Sequence, residues 1–97
     1  MIICDDEKMI VQGPITIDNV VDMTQRGKKF FDQPRRVVDL HVITNVDSSV
    51  ISMMLEWLRA ARQQGCQLQF INLPSNLESL VQLYGIEEMI PTIESPQ

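Results

Sequence analysis

Aromatic side chains are scarce in this chain: only 5% of its 97 residues are Phe, Trp or Tyr. A core must therefore be built mainly from Val, Ile, Leu and Met. Basic residues are also few, eight against thirteen acidic ones, for a net charge of −5 and an isoelectric point near 4.6. That balance excludes the cationic footprint needed to bind nucleic acid or anionic lipid without sequence preference. There is one His, and the only two cysteines are Cys4 and Cys66. So few, so far apart, they form neither a zinc site nor a disulfide framework. They are expected to be reduced thiols on strands of a cytoplasmic protein. The four glycines, at 13, 27, 65 and 85, are isolated, so no glycine-rich loop cradles a phosphate. No apolar run approaches the roughly 20 residues that span a bilayer. The first ten residues, MIICDDEKMI, are acidic where a signal peptide is basic. Neither a cofactor nor membrane insertion is expected.

What remains is the composition of a soluble globular domain, 44% hydrophobic and 22% charged, with mean hydropathy −0.02. The length supports one core, hence one domain over residues 1–97. Ile2–Cys4 and Lys8–Gln12 read as short strands about an acidic turn. Thr16 is placed to cap a helix running to about Phe31. Its apolar face is expected to comprise Ile17, Val20, Val21, Thr24 and Phe31. Gly27 costs that helix about 1 kcal/mol relative to Ala, which points to close packing there. Val37–Ile43 is β-branched and apolar, the pattern of a central strand. Ser48–Gln64 is the longest helical stretch, stopped by Gly65. Gln67–Leu73 is a further strand. Ser75 and Glu78 have capping-box spacing at the start of a last helix that Gly85 closes. The order strand, strand, helix, strand, helix, strand, helix predicts an α/β fold with helices packed on a mixed sheet.

Few residues converge for chemistry. His41, inside a predicted strand, reads as a hydrogen-bonded strand histidine rather than a general base. Asp5-Asp6 and Glu87-Glu88 read as solvated turn charges. Arg26, Lys28, Lys29, Arg35 and Arg36 form a basic cluster, either a solvated helix end and loop or a dock for an acidic partner. Met53 and Met54 suit core filling. The helix carrying them is apolar on so wide an arc, however, that Met53, Met54 and Trp57 are also candidates for a partner surface. The most distinctive stretch is Asn45-Val46-Asp47-Ser48-Ser49, where the central strand hands over to this helix. Asp47 or Ser48 caps the helix, leaving a serine hydroxyl at its positive end. The residue types fit a plain N-cap, or a serine presented for recognition or phosphorylation.

Val37-Val38-Asp39-Leu40 followed by Val46-Asp47-Ser48-Ser49, an apolar helix, a Gly65 stop, a strand and a capped helix resembles the STAS domain from about Gly13 to Ile90. That family includes anti-sigma factor antagonists and the small cytoplasmic subunits of Mla-type phospholipid ABC transporters. The closing Leu83-Tyr84-Gly85-Ile86 is most similar to the transporter branch. The resemblance implies a STAS-like sheet of four or five strands and a protein without catalytic activity. In the transporter branch the partner is the ABC ATPase, met in the cytoplasm at the inner membrane, and Ser48 matches the position at the ATPase-facing helix start. In the other branch Ser49 matches the phosphorylated serine, and the partner is an anti-sigma factor kinase. Asp47, Ser48, Ser49, Met53 and Trp57 are thus the expected partner-binding residues. Val50 stands where both branches commonly have Gly, and is expected to narrow a kinase's access. His41 stands where the family often has Ser.

Overall fold

The computed structural model of the protein describes residues 1–91; the last six residues of the expected 1–97 domain lie outside the described residues. Strand β1 (Ile2–Asp5) turns into β2 (Lys8–Ile15), followed by α1 (Val20–Lys28), β3 (Arg35–Val46), α2 (Ser49–Gln63), β4 (Gln67–Ile71) and α3 (Ser75–Leu83). A 3₁₀ turn, Glu87–Met89, comes last. The sheet order is β1-β2-β3-β4, so the expected α/β architecture is present with four strands. The first pair is antiparallel and the other two are parallel. Asp6 takes φ 54° in the β1–β2 turn, a left-handed conformation that Asp tolerates through local hydrogen bonding.

Alternation along the strands sends Met9, Val11, Val38, Leu40, Leu68 and Phe70 into the core. There they join Val20 and Met23 of α1, seven buried residues of α2, and Leu77 and Val81 of α3 in one hydrophobic cluster. A cross-strand row on the opposite face runs Ile3, Ile10, Asp39, Ile71. Strand β3 is longer than the apolar pattern indicates, because polar Thr44 and Asn45 continue it past the buried region. Gly65 ends α2 at φ 74°; its N–H donates to Arg62 O, and the Cys66 N–H to Ala61 O. This paired arrangement satisfies the last helical carbonyls.

Three local expectations change. Helix α1 begins at Val20 rather than Thr16, with residues 17–19 in a turn before it. Its buried stripe is Val20, Met23 and Gly27, which rotates Val21 about 100° away; Ile17 and Val21 are each 72% exposed. At α3, Pro74 is the N-cap and no side-chain cap forms, so the Ser75–Glu78 capping box is absent; Asn76 Oδ1 accepts the Leu77 N–H instead. Arg36 is no part of a basic docking patch. It is buried, its Nε donating to Phe30 O and its Nη1 to Asp6 O, and so ties the end of α1 to the β1–β2 turn. Arg26 and Lys28 are paired with Asp22 and Glu56.

Candidate functional site

Helix α2 leaves the sheet at the end of β3, and Asp47 organises the junction. One oxygen of its carboxylate accepts the Ser49 N–H at 2.9 Å and also the Ser49 hydroxyl. The other accepts the Ile17 N–H at 2.9 Å, from the loop that leads into α1. These donors, the Ser49 hydroxyl foremost and then the Ile17 amide, hold the Asp47 carboxyl below its ordinary range. The capping bond therefore comes from Asp47. Ser48 occupies the N-cap position but makes no side-chain capping hydrogen bond, and it is exposed. Ser49 is half-buried.

Beside this entrance lie Ile17 and Val21, an exposed apolar ridge. From it an open groove runs between α1 and α2, lined by Val21, Thr24, Gln25, Lys28, Ser52 and Glu56 over the buried Val20 and Met53. Its far end is charged: Lys28 Nζ lies 2.6 Å from Glu56, and Arg59 grips both oxygens of the same carboxylate at 2.9 and 2.6 Å. Hydrogen bonds from Arg59 and then Lys28 bring Glu56 down to about 2.

Asp47, Ser48 and Ser49 are thus gathered at one accessible entrance, while Met53 and Trp57 are not part of its exposed surface. Both are fully buried, as is Met54. The reason is the fit of α2 against α1: at Gly27 no side chain intervenes, and the Trp57 indole fills the space, its Nε1 donating to Thr24 O at 2.9 Å. Phe31 meets the same ring edge-on, with centroids 6.1 Å apart at 77°. Val50 is also fully buried and turned into the core, so its β-branch does not narrow the approach to Ser49. The residues that sequence reasoning missed are Ile17 and Val21. The i, i+3, i+7 spacing of Val20, Met23 and Gly27 is the signal that separates Val21 from the buried stripe.

A second polar cluster lies on the opposite sheet face. Asp39, with 3% of its side chain exposed, takes hydrogen bonds from the His41 backbone N–H at 3.1 Å and from Asn72 Nδ2 at 3.3 Å. His41 Nδ1 is 2.7 Å away and Lys8 Nζ 3.6 Å. Burial pushes the Asp39 carboxyl up, but the His41 and Asn72 hydrogen bonds outweigh it and hold the group below its ordinary range. His41 is the hydrogen-bonded strand histidine expected, with just over half its side chain exposed, 57%. Among the described residues no three His, Cys, Asp or Glu side chains gather as a metal site. No helix there is long and apolar enough to cross a membrane.

Known structures share this arrangement of sheet and helices. The anti-sigma factor antagonist SpoIIAA in its unphosphorylated form superposes with a TM-score of 0.74 at 12% identity, covering 100% of this chain and 88% of that one. A Thermotoga maritima protein assigned as an anti-sigma factor antagonist gives 0.77 at 12% identity, covering 99% and 86%. An anti-sigma-factor antagonist (STAS) domain protein from Planctomyces limnophilus gives 0.75 at 13% identity, covering 100% and 90%. At such identities these likenesses define the fold alone. A comparison with curated proteins gives no match. The family model described as "Mlab, STAS domain" matches residues 5–91, and the chain belongs to the STAS domain family.

Proposed function

We propose that this chain is a non-catalytic regulatory protein of the anti-sigma factor antagonist type, which binds a partner protein at the entrance of α2 and is switched by phosphorylation of Ser49. The observation that carries this reading is the juxtaposition at that entrance: a polar junction of Asp47, Ser48 and Ser49 beside Ile17 and Val21, each 72% exposed. A partner covering this surface gains apolar burial from the ridge and directional contacts from the serines. A phosphate on Ser49 adds about −1.5 to −2 charge there, enough to break such an interface while leaving the core intact. Val50, buried beneath the helix, leaves a kinase's path open. Three similar structures bear the anti-sigma factor antagonist name, which supports a partner of the anti-sigma factor kinase kind. The protein would act in the cytoplasm. Phosphopeptide mass spectrometry on protein recovered from growing cells tests the switch. Modification at Ser49, with loss of partner capture by Ser49→Asp, is the expected result; a Ser49 that stays unmodified across growth conditions refutes it.

A second reading is favoured by the "Mlab" in the description of the matching family model. In it the same entrance docks the ATPase subunit of a phospholipid ABC transporter at the inner membrane, with Ser48, exposed and outside the capping bonds, at the contact. Co-expression with the ATPase encoded nearby and gel filtration distinguish the two. Co-elution supports transport, and separate elution removes it.

A further inference from the structure

The Asp47 carboxylate joins two elements that are 30 residues apart in the chain. Towards α2 it holds the Ser49 N–H and hydroxyl; towards α1 it holds the Ile17 N–H. The α1 entrance loop is otherwise pinned around Ile17 rather than at it. Asn19 Nδ2 donates to Pro14 O at 2.8 Å and Asn19 Oδ1 accepts the Thr16 N–H at 3.0 Å, while the Asp18 N–H reaches Thr16 Oγ1 at 3.3 Å. The Ile17 amide itself is held by Asp47, and the exposed Ile17 side chain sits on that peptide.

We infer that Asp47 is a positioning residue that carries the chemical state of the Ser49 hydroxyl to the α1 entrance loop, so that modification of Ser49 moves the Ile17–Val21 ridge. This rests on the reading of Ser49 as the controlled hydroxyl. A kinase transferring the γ-phosphoryl group of a nucleoside triphosphate forms the Ser49 Oγ–P bond and breaks the bridging P–O bond to the β-phosphate. The nucleoside diphosphate leaves, and the hydroxyl proton passes through the kinase's base to solvent. Of the two Ser49 donors that Asp47 held, the hydroxyl is then gone, and a dianion stands in its place against the carboxylate. The positive end of the α2 dipole compensates the phosphate, so the helix stays. On that side Asp47 keeps only the Ser49 N–H, beside a dianion. Its carboxylate swings away from the phosphate, and its one bond to another element, the Ile17 N–H, is released. A partner therefore loses its apolar contact as well as meeting a new charge.

The test reads the Ile17 amide by hydrogen exchange in the isolated protein, so it needs no partner. The comparison is between the unmodified chain, Asp47→Ala, Ser49→Ala, and chain carrying phosphoserine at position 49, with the Val38 amide in the core as a folding control. Exchange at Ile17 is expected to rise about tenfold in Asp47→Ala and with phosphoserine, as befits loss of one charge-assisted hydrogen bond. In Ser49→Ala it is expected to stay within about threefold, because the neutral methyl leaves Asp47 in place. An Ile17 amide that exchanges at the unmodified rate with phosphoserine present overturns the relay, as does one indifferent to Asp47→Ala. If Asp47→Ala loses Val38 protection, Asp47→Asn takes its place, with the same rise expected in direction and indifference again overturning the relay. Failure of partner capture with the Ile17 response intact counts against the binding reading alone; partner capture with a silent Ile17 counts against the relay alone.

Discussion

Replacing Gly27 with Ala should destabilise this protein, although Ala is the better helix former by about 1 kcal/mol. A Cβ built at position 27 falls 2.3 Å from Cε2 and Cζ2 of Trp57 and 2.5 Å from its Nε1. Carbon atoms rest about 3.5–4.0 Å apart, so the indole must retreat by more than an ångström. It has nowhere easy to go, being fully buried with Phe31 against its edge. Overpacking of this kind costs about 1–3 kcal/mol. Retreat also breaks the 2.9 Å bond from Nε1 to Thr24 O, and a buried donor left unpaired costs about 1–3 kcal/mol more. Against the gain in helix propensity, a net loss of about 3 kcal/mol is expected. In a domain of this size that lowers Tm by about 12–24 °C. Urea and thermal denaturation measure it, and the fluorescence of Trp57, the chain's single Trp, reports whether the indole has moved. A Gly27→Ala protein as stable as the parent, with an unaltered emission spectrum, would refute the packing argument.

The ion pairs around Glu56 predict a pH window. Its carboxyl is depressed from 4.5 to about 2, so its contribution to stability is complete above 4.5 and is lost as the pH falls towards 2. The Tm difference between the parent and Glu56→Gln should shrink across that window; a constant difference would argue against it. His41→Ala removes the ring from Asp39 but leaves the His41 amide, Asn72 and Lys8 in place. A loss of about 1 kcal/mol is expected in urea denaturation, and no loss would mean that water replaces the imidazole at no cost. Val21→Ser should change stability by no more than about 0.5 kcal/mol yet weaken partner capture. Trp57→Ala should cost about 3–5 kcal/mol, with any binding defect following unfolding; thermal melts run beside the binding assay separate the two, and a stable Trp57→Ala protein that fails to bind would restore Trp57 to the interface.

Much of the fold was legible in the chain because its signals are local. Gly65 stops α2 as its place after the helical stretch indicates, and does so at φ 74°, and the β-branched run from Val37 marks the central strand. Helix caps are less legible. Thr16 and Ser75 have the right side chains, yet the helices begin at Val20 behind Asn19 and at Ser75 behind Pro74. A capping residue only proposes a hydrogen bond, and the loop conformation decides whether it is made. At the candidate site Asp47, Ser48 and Ser49 stood out by spacing alone. The division of labour among them did not, since the Ile17 amide that Asp47 holds comes from a different part of the chain.

The order of elements, a largely aliphatic core and the serine-bearing start of α2 follow from the chain alone, because periodicity and turn chemistry act between near neighbours. Tertiary structure alone decided which apolar residues meet solvent. Met53 and Trp57 look like spare surface on an over-apolar helix until α1, bare at Gly27, closes over them. Ile17 and Val21 look like core until the late start of α1 turns them outward. Burial depends on what packs against a side chain, and that partner lies elsewhere in the sequence.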